Sequence, residues 1–371
     1  MKILCSGPTS IAKNVLDKMS ISKTNPDLDP EYLGYQRAVE NKISKLAHTD
    51  AKSFFMLGEG IITLEGAIVS LVEKGERVLV IYNGFFGEGF ADYVGYVGGE
   101  AVKFKGDFRR GINVADLKAF LEKDHDFAVA TMVHCETPSG ITNDVKSICE
   151  LLHSYDIITV TDCVSSFAGE EIYFDEFNID VMLSGSQKCI SAPTGIGIVA
   201  LSKKAIDKIN GRKTTVPSYY LNYKNYYAFN ESCGFPYTQN ENLIYAIDEA
   251  LRNIPENYAF LHKKYAIATR NTLINCGFEL FPKDSFSNTV TAVITPDGIK
   301  SEDILSQMRK QNIAISKGVG EYAEKIFRIG HMGHNINKAN FIEMFEKLDT
   351  TFKNLGVKLN GSLKEEFEKE I

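Results

Sequence analysis

Long apolar runs are missing from this chain of 371 residues: nothing in it approaches the roughly 20 consecutive apolar residues that a membrane-spanning helix needs. Basic runs interleaved with aromatics are missing as well, and a formal net charge of -7 argues against a nucleic-acid footprint. The seven cysteines, Cys5, Cys135, Cys149, Cys163, Cys189, Cys233 and Cys276, are odd in number, scattered and without a C-x-x-C pair. That excludes a disulfide framework as the organising device and favours reduced thiols. The first residues, Met1 to Pro8, reach a turn signal before any apolar segment long enough for a signal peptide, so a cytoplasmic protein is expected. His331-Met332-Gly333-His334 hints at a metal, but Gly333 weakens a helical reading and no carboxylate follows at ligand spacing, so no metal is expected.

What is present is the composition of a globular protein: 44% hydrophobic and 24% charged residues suffice to bury a sizeable core. The length exceeds what one core normally supports, which predicts a large and a smaller domain sharing a crevice, with a small molecule as partner. Apolar periodicity predicts a helix over Leu64–Val72, a turn at 73–76 and a β-branched strand over Arg77–Tyr82. The alternation continues with helices near 88–97, 114–122 and 145–155 and strands over 101–104, 127–133, 157–161, 181–184 and 197–201. Strands separated by helices of this length imply right-handed crossovers and a mainly parallel sheet with helices on both faces. After about Thr214 the tyrosines 219, 220, 223, 226 and 227, with Phe229, read as a loop-like stretch lining an interface. A helix follows over 242–251. The remainder mixes helices with strands near 290–294 and 313–315, and the charged tail 362–371 is expected to fray.

In such sheets ligands sit beyond the carboxyl ends of strands. Asn83-Gly84 follows one predicted strand, His134-Cys135-Glu136-Thr137 another, Asp162 a third and Ser184-Gly185-Ser186-Gln187-Lys188 a fourth. A lysine just past a buried strand is partly desolvated, which lowers its pKa and frees the amine for a carbonyl. An acid at the tip of the apolar strand 157–161 needs a cationic partner. A protonated pyridine nitrogen is such a partner, and pyridoxal-phosphate chemistry requires both a Schiff-base lysine and that acid. A buried structural ion pair would use the same two residues. Gly58-Glu59-Gly60-Ile61 stands directly before a helix, where backbone N–H groups can bind phosphate, although a plain glycine turn has the same spelling. The fragment is neither G-x-G-x-x-G nor a Walker loop, which disfavours nucleotide binding.

With these pieces in place the chain resembles the class V aminotransferases, and within them the alanine-glyoxylate and serine-pyruvate group. The resemblance runs from about Ile3 to Gly333. It is carried by Thr161-Asp162-Cys163-Val164-Ser165-Ser166-Phe167, Ile179-Asp180-Val181, Ser184-Gly185-Ser186-Gln187-Lys188 and Ala192-Pro193-Thr194-Gly195. Asn83-Gly84-Phe85-Phe86-Gly87, Glu136-Thr137-Pro138-Ser139-Gly140, Pro236-Tyr237-Thr238 and Phe327-Arg328-Ile329-Gly330 add to it. The resemblance implies an α/β protein of PLP-transferase fold type I. It would have a short segment 1–20 joining the small domain, a large domain over 21–254 with a mainly parallel, seven-stranded type of sheet, and a small α+β domain over 255–371. It implies pyridoxal 5'-phosphate as cofactor and a homodimer with the active site at the subunit interface.

Roles carry over position by position. Lys188 would be the Schiff-base lysine and Asp162 the partner of the pyridine nitrogen. Phe86 would stack on one ring face and Val164 press on the other, while Thr137 would lie near the ring hydroxyl. Gly60 and Ile61 would give backbone donors to the phosphate and Gln187 a side-chain contact. Thr238 would reach it from the neighbouring subunit, and Arg328 would grip the substrate carboxylate, a task suited to a planar guanidinium. The chain departs from the family in having Glu59 where a serine is usual, Ile61 where a polar residue is usual, Gly89 where an arginine is frequent, and Pro138 where a serine is common. The implied activity is a ping-pong transamination from an alanine- or serine-class donor to glyoxylate or pyruvate. Three other readings stand beside it: a 2-aminoethylphosphonate-pyruvate transaminase, a cysteine desulfurase, disfavoured because no cysteine follows Cys276, and an idle relative serving as a binding protein.

Overall fold

The computed structural model describes residues 1–232 and 234–371, without the side chains of 229–232, so Cys233 and the Phe229 ring lie outside the described residues. The chain opens with β1 (Lys2–Ile3), α1 (Lys13–Met19) and α2 (Pro30–Leu46). It then alternates through β2 (Lys52–Leu57), α3 (Gly60–Leu71), β3 (Arg77–Tyr82), α4 (Phe85–Tyr96), β4 (Glu100–Lys105), α5 (Val114–Leu121) and β5 (Val129–Val133). The hairpin β6 (Cys135–Glu136) and β7 (Ile141–Thr142) precedes α6 (Val145–His153), β8 (Ile158–Asp162), β9 (Val181–Gly185) and β10 (Ile196–Leu201). Helices α7 (Lys203–Asn210), α8 (Tyr223–Ser232), α9 (Glu241–Arg252) and α10 (Tyr258–Asn275) follow. The last part holds β11 (Val290–Ile294), α11 (Ser301–Lys310), β12 (Ile313–Ala314), β13 (Ser316–Lys317), β14 (Ile326–Gly330), α12 (Lys338–Asn354) and α13 (Leu363–Glu370).

Seven strands form the main sheet in the order β2-β10-β9-β8-β5-β3-β4, with β10 running against its neighbours on both sides. Successive side chains on a strand face opposite sides. Val78 and Val80 accordingly enter one core together with α3 residues Leu64 and Ile68, while Leu79 and Ile81 enter the other with Ile148 and Leu152 of α6. Burial on both faces is why these strands read as unbroken apolar runs. A third core gathers Val293, Phe327 and Ile329 against helices α10 to α13. The N-terminal β1 pairs with β12, so the start of the chain is tied to this last assembly. Residues 254 and 255 fall in the connection between α9 and α10.

Two sequence expectations need correction, and one strand is added to them. The tyrosine-rich stretch is not all loop: Tyr223, Tyr226 and Tyr227, at helical spacing, start α8 and are buried against the sheet, with Phe54 stacked on Tyr226. The irregularity came from reading them together with Tyr219 and Tyr220, which are exposed. The charged tail does not fray, because Leu363 and Phe367, one turn apart, are fully buried and dock α13 onto α10 and α12. Strand β2, which the sequence reading passed over, forms the sheet edge beside β10 and leads into the glycine turn at 58–60.

Candidate active site

Because β10 is antiparallel to both β9 and β2, the carboxyl ends of β2, β3, β5, β8 and β9 all emerge at one edge of the sheet. There they deliver Glu59, Gly84, His134, Asp162 and Lys188. A cavity of about 360 Å³ opens at this edge. Lys188, Asp162, Phe86, Val164 and Thr137 line its ring-sized part, and Glu59, Gly60, Ile61 and Gln187 line the side at the α3 N-terminus. Eight of the ten expected site residues thus meet in one cavity.

Lys188 is fixed by its own loop and by the N-terminal segment. Ser186 closes the loop by donating from its hydroxyl to the Pro193 carbonyl at 2.6 Å, and the Ala192 N–H returns to the Ser186 carbonyl at 2.9 Å. Thr9 donates its N–H to the Gln187 carbonyl at 3.0 Å and its hydroxyl to the Lys188 carbonyl at 3.1 Å. The Lys188 Nζ donates to the Ser6 carbonyl at 2.7 Å. Gly7 lies so close that a Cβ on it would meet Lys188 Cδ at 2.4 Å, and its φ of +103° is one that side-chain-bearing residues rarely adopt. Burial pushes the Lys188 amine below its ordinary pKa, and the Arg328 charge pushes the same way. A larger fraction of neutral, nucleophilic amine results.

Asp162 ends β8 with one carboxylate oxygen accepting the Val164 N–H at 2.8 Å. Burial raises its carboxyl to about 6, against the lowering effects of that N–H and of Lys188. A carboxylate held this way gains from a cation in the cavity. Phe86 is set by a carboxyl whose positioning role the sequence does not reveal. Glu136, fully buried on the β6–β7 hairpin, accepts the N–H of Phe86 at 3.2 Å and of Gly87 at 2.6 Å, and so anchors the N-terminus of α4. A Cβ on Gly84 would meet Glu136 Cδ at 2.4 Å, so only glycine admits the carboxyl there. Across the cavity Val164 packs on Gly60, where a Cβ would meet Val164 Cγ2 at 2.8 Å. Thr137 and Ser165 pair through their hydroxyls.

Arg328 and Thr238 do not line the cavity. Arg328, on β14 and 8% exposed, donates to the Thr137 carbonyl at 3.0 Å through Nη1 and to the Lys317 carbonyl at 2.7 Å through Nε. The guanidinium is therefore tied to the wall that Thr137 forms. Thr238 is exposed and donates to Asp27 Oδ2 at 2.6 Å. Ser6, Gly7 and Pro8 lie at the lysine without having been expected there; Gly7 and Pro8 line the cavity. The His331 ring bonds Thr291 and the Asn288 carbonyl.

The lining suits a pyridoxal ring, because a buried amine, a buried acid and the apolar side chains of Phe86 and Val164 share the cavity. The phosphate end does not fit. Glu59 is the N-cap of α3, its Oε1 accepting the Ile61 N–H at 3.0 Å and its Oε2 accepting Gln187 Nε2 at 3.1 Å. Those are two of the three donors expected to serve the phosphate, the third being the Gly60 N–H.

The sequence model of the family described as Aminotransferase class-V matches residues 63–330. An uncharacterized aminotransferase of Methanocaldococcus jannaschii is 36% identical over 344 residues, covering 89% of this chain and 87% of that one. The serine–glyoxylate aminotransferase of Arabidopsis thaliana is 28% identical over 367 residues, covering 94% and 90%. Among solved structures, the pyridoxamine-pyruvate aminotransferase of Mesorhizobium loti superposes with a TM-score of 0.94 at 25% identity, covering 100% of this chain and 96% of that one.

Proposed function

The chain belongs to the class-V aminotransferases, and from that premise we propose that it moves an amino group from a small amino acid of the alanine or serine class to a 2-oxo acid such as glyoxylate or pyruvate. These are the acceptors in the names of the Arabidopsis and Mesorhizobium relatives. The observation that carries the reading is Lys188: a buried amine with a depressed pKa in one cavity with Asp162, Phe86 and Val164. The family is pyridoxal-phosphate-dependent, and a pyridoxal ring supplies the electron sink that amino-acid Cα–H chemistry requires.

In this reading Lys188 carries the proton at the substrate Cα as general base and returns it as general acid, a role worth typically 10²–10⁴-fold in rate. Asp162 accepts a hydrogen bond from the ring nitrogen and holds its proton. Phe86 and Val164 clamp the ring faces, with Glu136 positioning Phe86 through the α4 N-terminus. Arg328, with nitrogens beyond those bonded to Thr137 and Lys317, binds the substrate carboxylate, a task suited to a planar guanidinium. The working unit is a homodimer in which Thr238 reaches the neighbouring site. Among the described residues no helix is long and apolar enough to cross a membrane, and the six described cysteines are free, which agrees with a cytoplasmic location.

A panel of amino donors against glyoxylate and pyruvate tests the reading. Wild type should convert at least one pair, and Lys188→Ala should lose at least 100-fold in kcat while keeping its circular dichroism spectrum. Undiminished turnover in Lys188→Ala would refute it.

A further inference from the structure

We propose that the ring pocket takes unphosphorylated pyridines, pyridoxamine and pyridoxal, and turns them over as amino donor and product in place of a tethered phosphorylated cofactor. The inference rests on the transaminase reading above for its Lys188 chemistry and its 2-oxo acid acceptor, replaces the amino-acid donor by pyridoxamine so that the amino acid becomes the product, and is carried by the corner of the site where Glu59 sits.

A helix N-terminus offers a few orphan N–H groups and a partial positive charge, enough to favour an anion. At α3 that anion is already present and belongs to the protein. Both Glu59 carboxylate oxygens are engaged, one by the Ile61 N–H and one by Gln187 Nε2. A phosphate carrying close to two negative charges would have to share these donors with Glu59 or displace it. Little else on this side favours such an exchange. Ile61 and Leu64 are apolar, and among the described lining residues the sole cation is Lys188, the amine that the ring aldehyde takes up.

A second observation points the same way. Gln187 Oε1 is buried and has no hydrogen-bond partner, so one acceptor at this corner is left without a donor. A phosphate oxygen accepts and cannot supply what is missing. A neutral hydroxymethyl group both donates and accepts. It can donate to the Glu59 carboxylate, and its small size leaves the Ile61 contact intact.

The missing phosphate anchor also decides the fate of the ring. In its aminated form the ring has no covalent link to Lys188, so only the Phe86, Val164 and Asp162 contacts retain it, and it exchanges with solution. The reaction then balances as pyridoxamine plus 2-oxo acid giving pyridoxal plus amino acid. The nitrogen leaves the ring C4′ for the 2-oxo carbon, and C4′ is oxidised by two electrons as that carbon is reduced by two. One water is released on condensation and one consumed on hydrolysis, while Lys188 moves the proton from C4′ to the new Cα.

The experiment titrates the ligand-free wild-type chain with pyridoxal and with pyridoxal 5'-phosphate, reading visible absorbance and, after borohydride reduction, intact mass, which distinguishes the two adducts. Pyridoxal should bind at least tenfold tighter than its phosphate. Glu59→Gln, and Glu59→Ala as a second variant, should each move that ratio at least tenfold toward the phosphate. With excess pyridoxamine and pyruvate or glyoxylate, the wild type should release many pyridoxal molecules per subunit. Tighter binding of the phosphate, a ratio unmoved by both variants, or release stopping at one equivalent would overturn the proposal while leaving the transaminase reading in place. Failure of both aldehydes to attach at Lys188 would overturn both.

Discussion

Glu136 shows how a single buried carboxyl can organise a site without touching the reacting atoms. Burial raises its carboxyl to about 7, outweighing the lowering effect of the Gly87 and Phe86 N–H groups. Because the folded-state pKa lies above the ordinary 4.5, the stability tied to this group is fully present below pH 4.5 and is lost as pH rises through about 7. Asp162, raised to about 6 from 3.8, acts in the same direction in the ligand-free chain. Urea unfolding of the ligand-free protein at pH 5 and pH 8 should therefore show the wild type less stable at pH 8, with the Glu136 share on the order of 3 kcal/mol. Glu136→Gln should remove most of that share; an unchanged pH dependence would contradict the assignment. The residues with chemistry of their own, Lys188 and Asp162, were legible because an acid or an amine after an apolar strand is conspicuous. Glu136 was not legible in its positioning role, because the contact depends on the β6–β7 hairpin folding back onto α4. Glu59 was legible as an oddity only. A carboxylate immediately before a helix is favoured by the helix dipole and its orphan N–H groups, and that was the available signal for the capping side chain.

At the scale of elements, the inner strands of the main sheet could be read almost residue for residue, since burial on both faces leaves room for few and small polar side chains, such as Thr131, Thr159 and Thr161. Strand β2 was missed although residues 53–56 are all buried behind exposed Lys52. The last helix was misread because charge dominates its composition, whereas two apolar residues one turn apart decide its fate. Leu363 and Phe367 are each fully buried, and full burial of such side chains contributes about 1.5–3 kcal/mol apiece. Asp349 adds to the attachment by accepting the N–H groups of Leu363 and Lys364. Deleting residues 362–371 should lower the thermal midpoint by several degrees and expose the α10–α12 surface to a hydrophobic dye. Indifference of the melting curve to the deletion would mean that α13 does not hold to the body.

The whole molecule joins its two assemblies at the site itself. Gly330 at the end of β14 lets Cys5 pass so closely that a Cβ there would meet the Cys5 carbonyl oxygen at 2.0 Å. This contact carries the segment Ser6–Thr9 onto the Lys188 loop, and Arg328 of the same strand bonds the cavity wall at Thr137. Thr238, Tyr219 and Tyr220 are exposed and do not line the chain's own cavity, and the proposed place of Thr238 is a site on a neighbouring subunit. Sedimentation should accordingly give twice the 41.3 kDa chain mass, and a monomer would contradict the proposed role of Thr238. The central claim, that Lys188 is the reacting amine, is tested most directly by peptide mapping of protein incubated with pyridoxal and reduced with borohydride. A single pyridoxyl adduct on Lys188, absent from Lys188→Ala, is predicted; an adduct confined to other lysines, or undiminished in Lys188→Ala, would contradict the account.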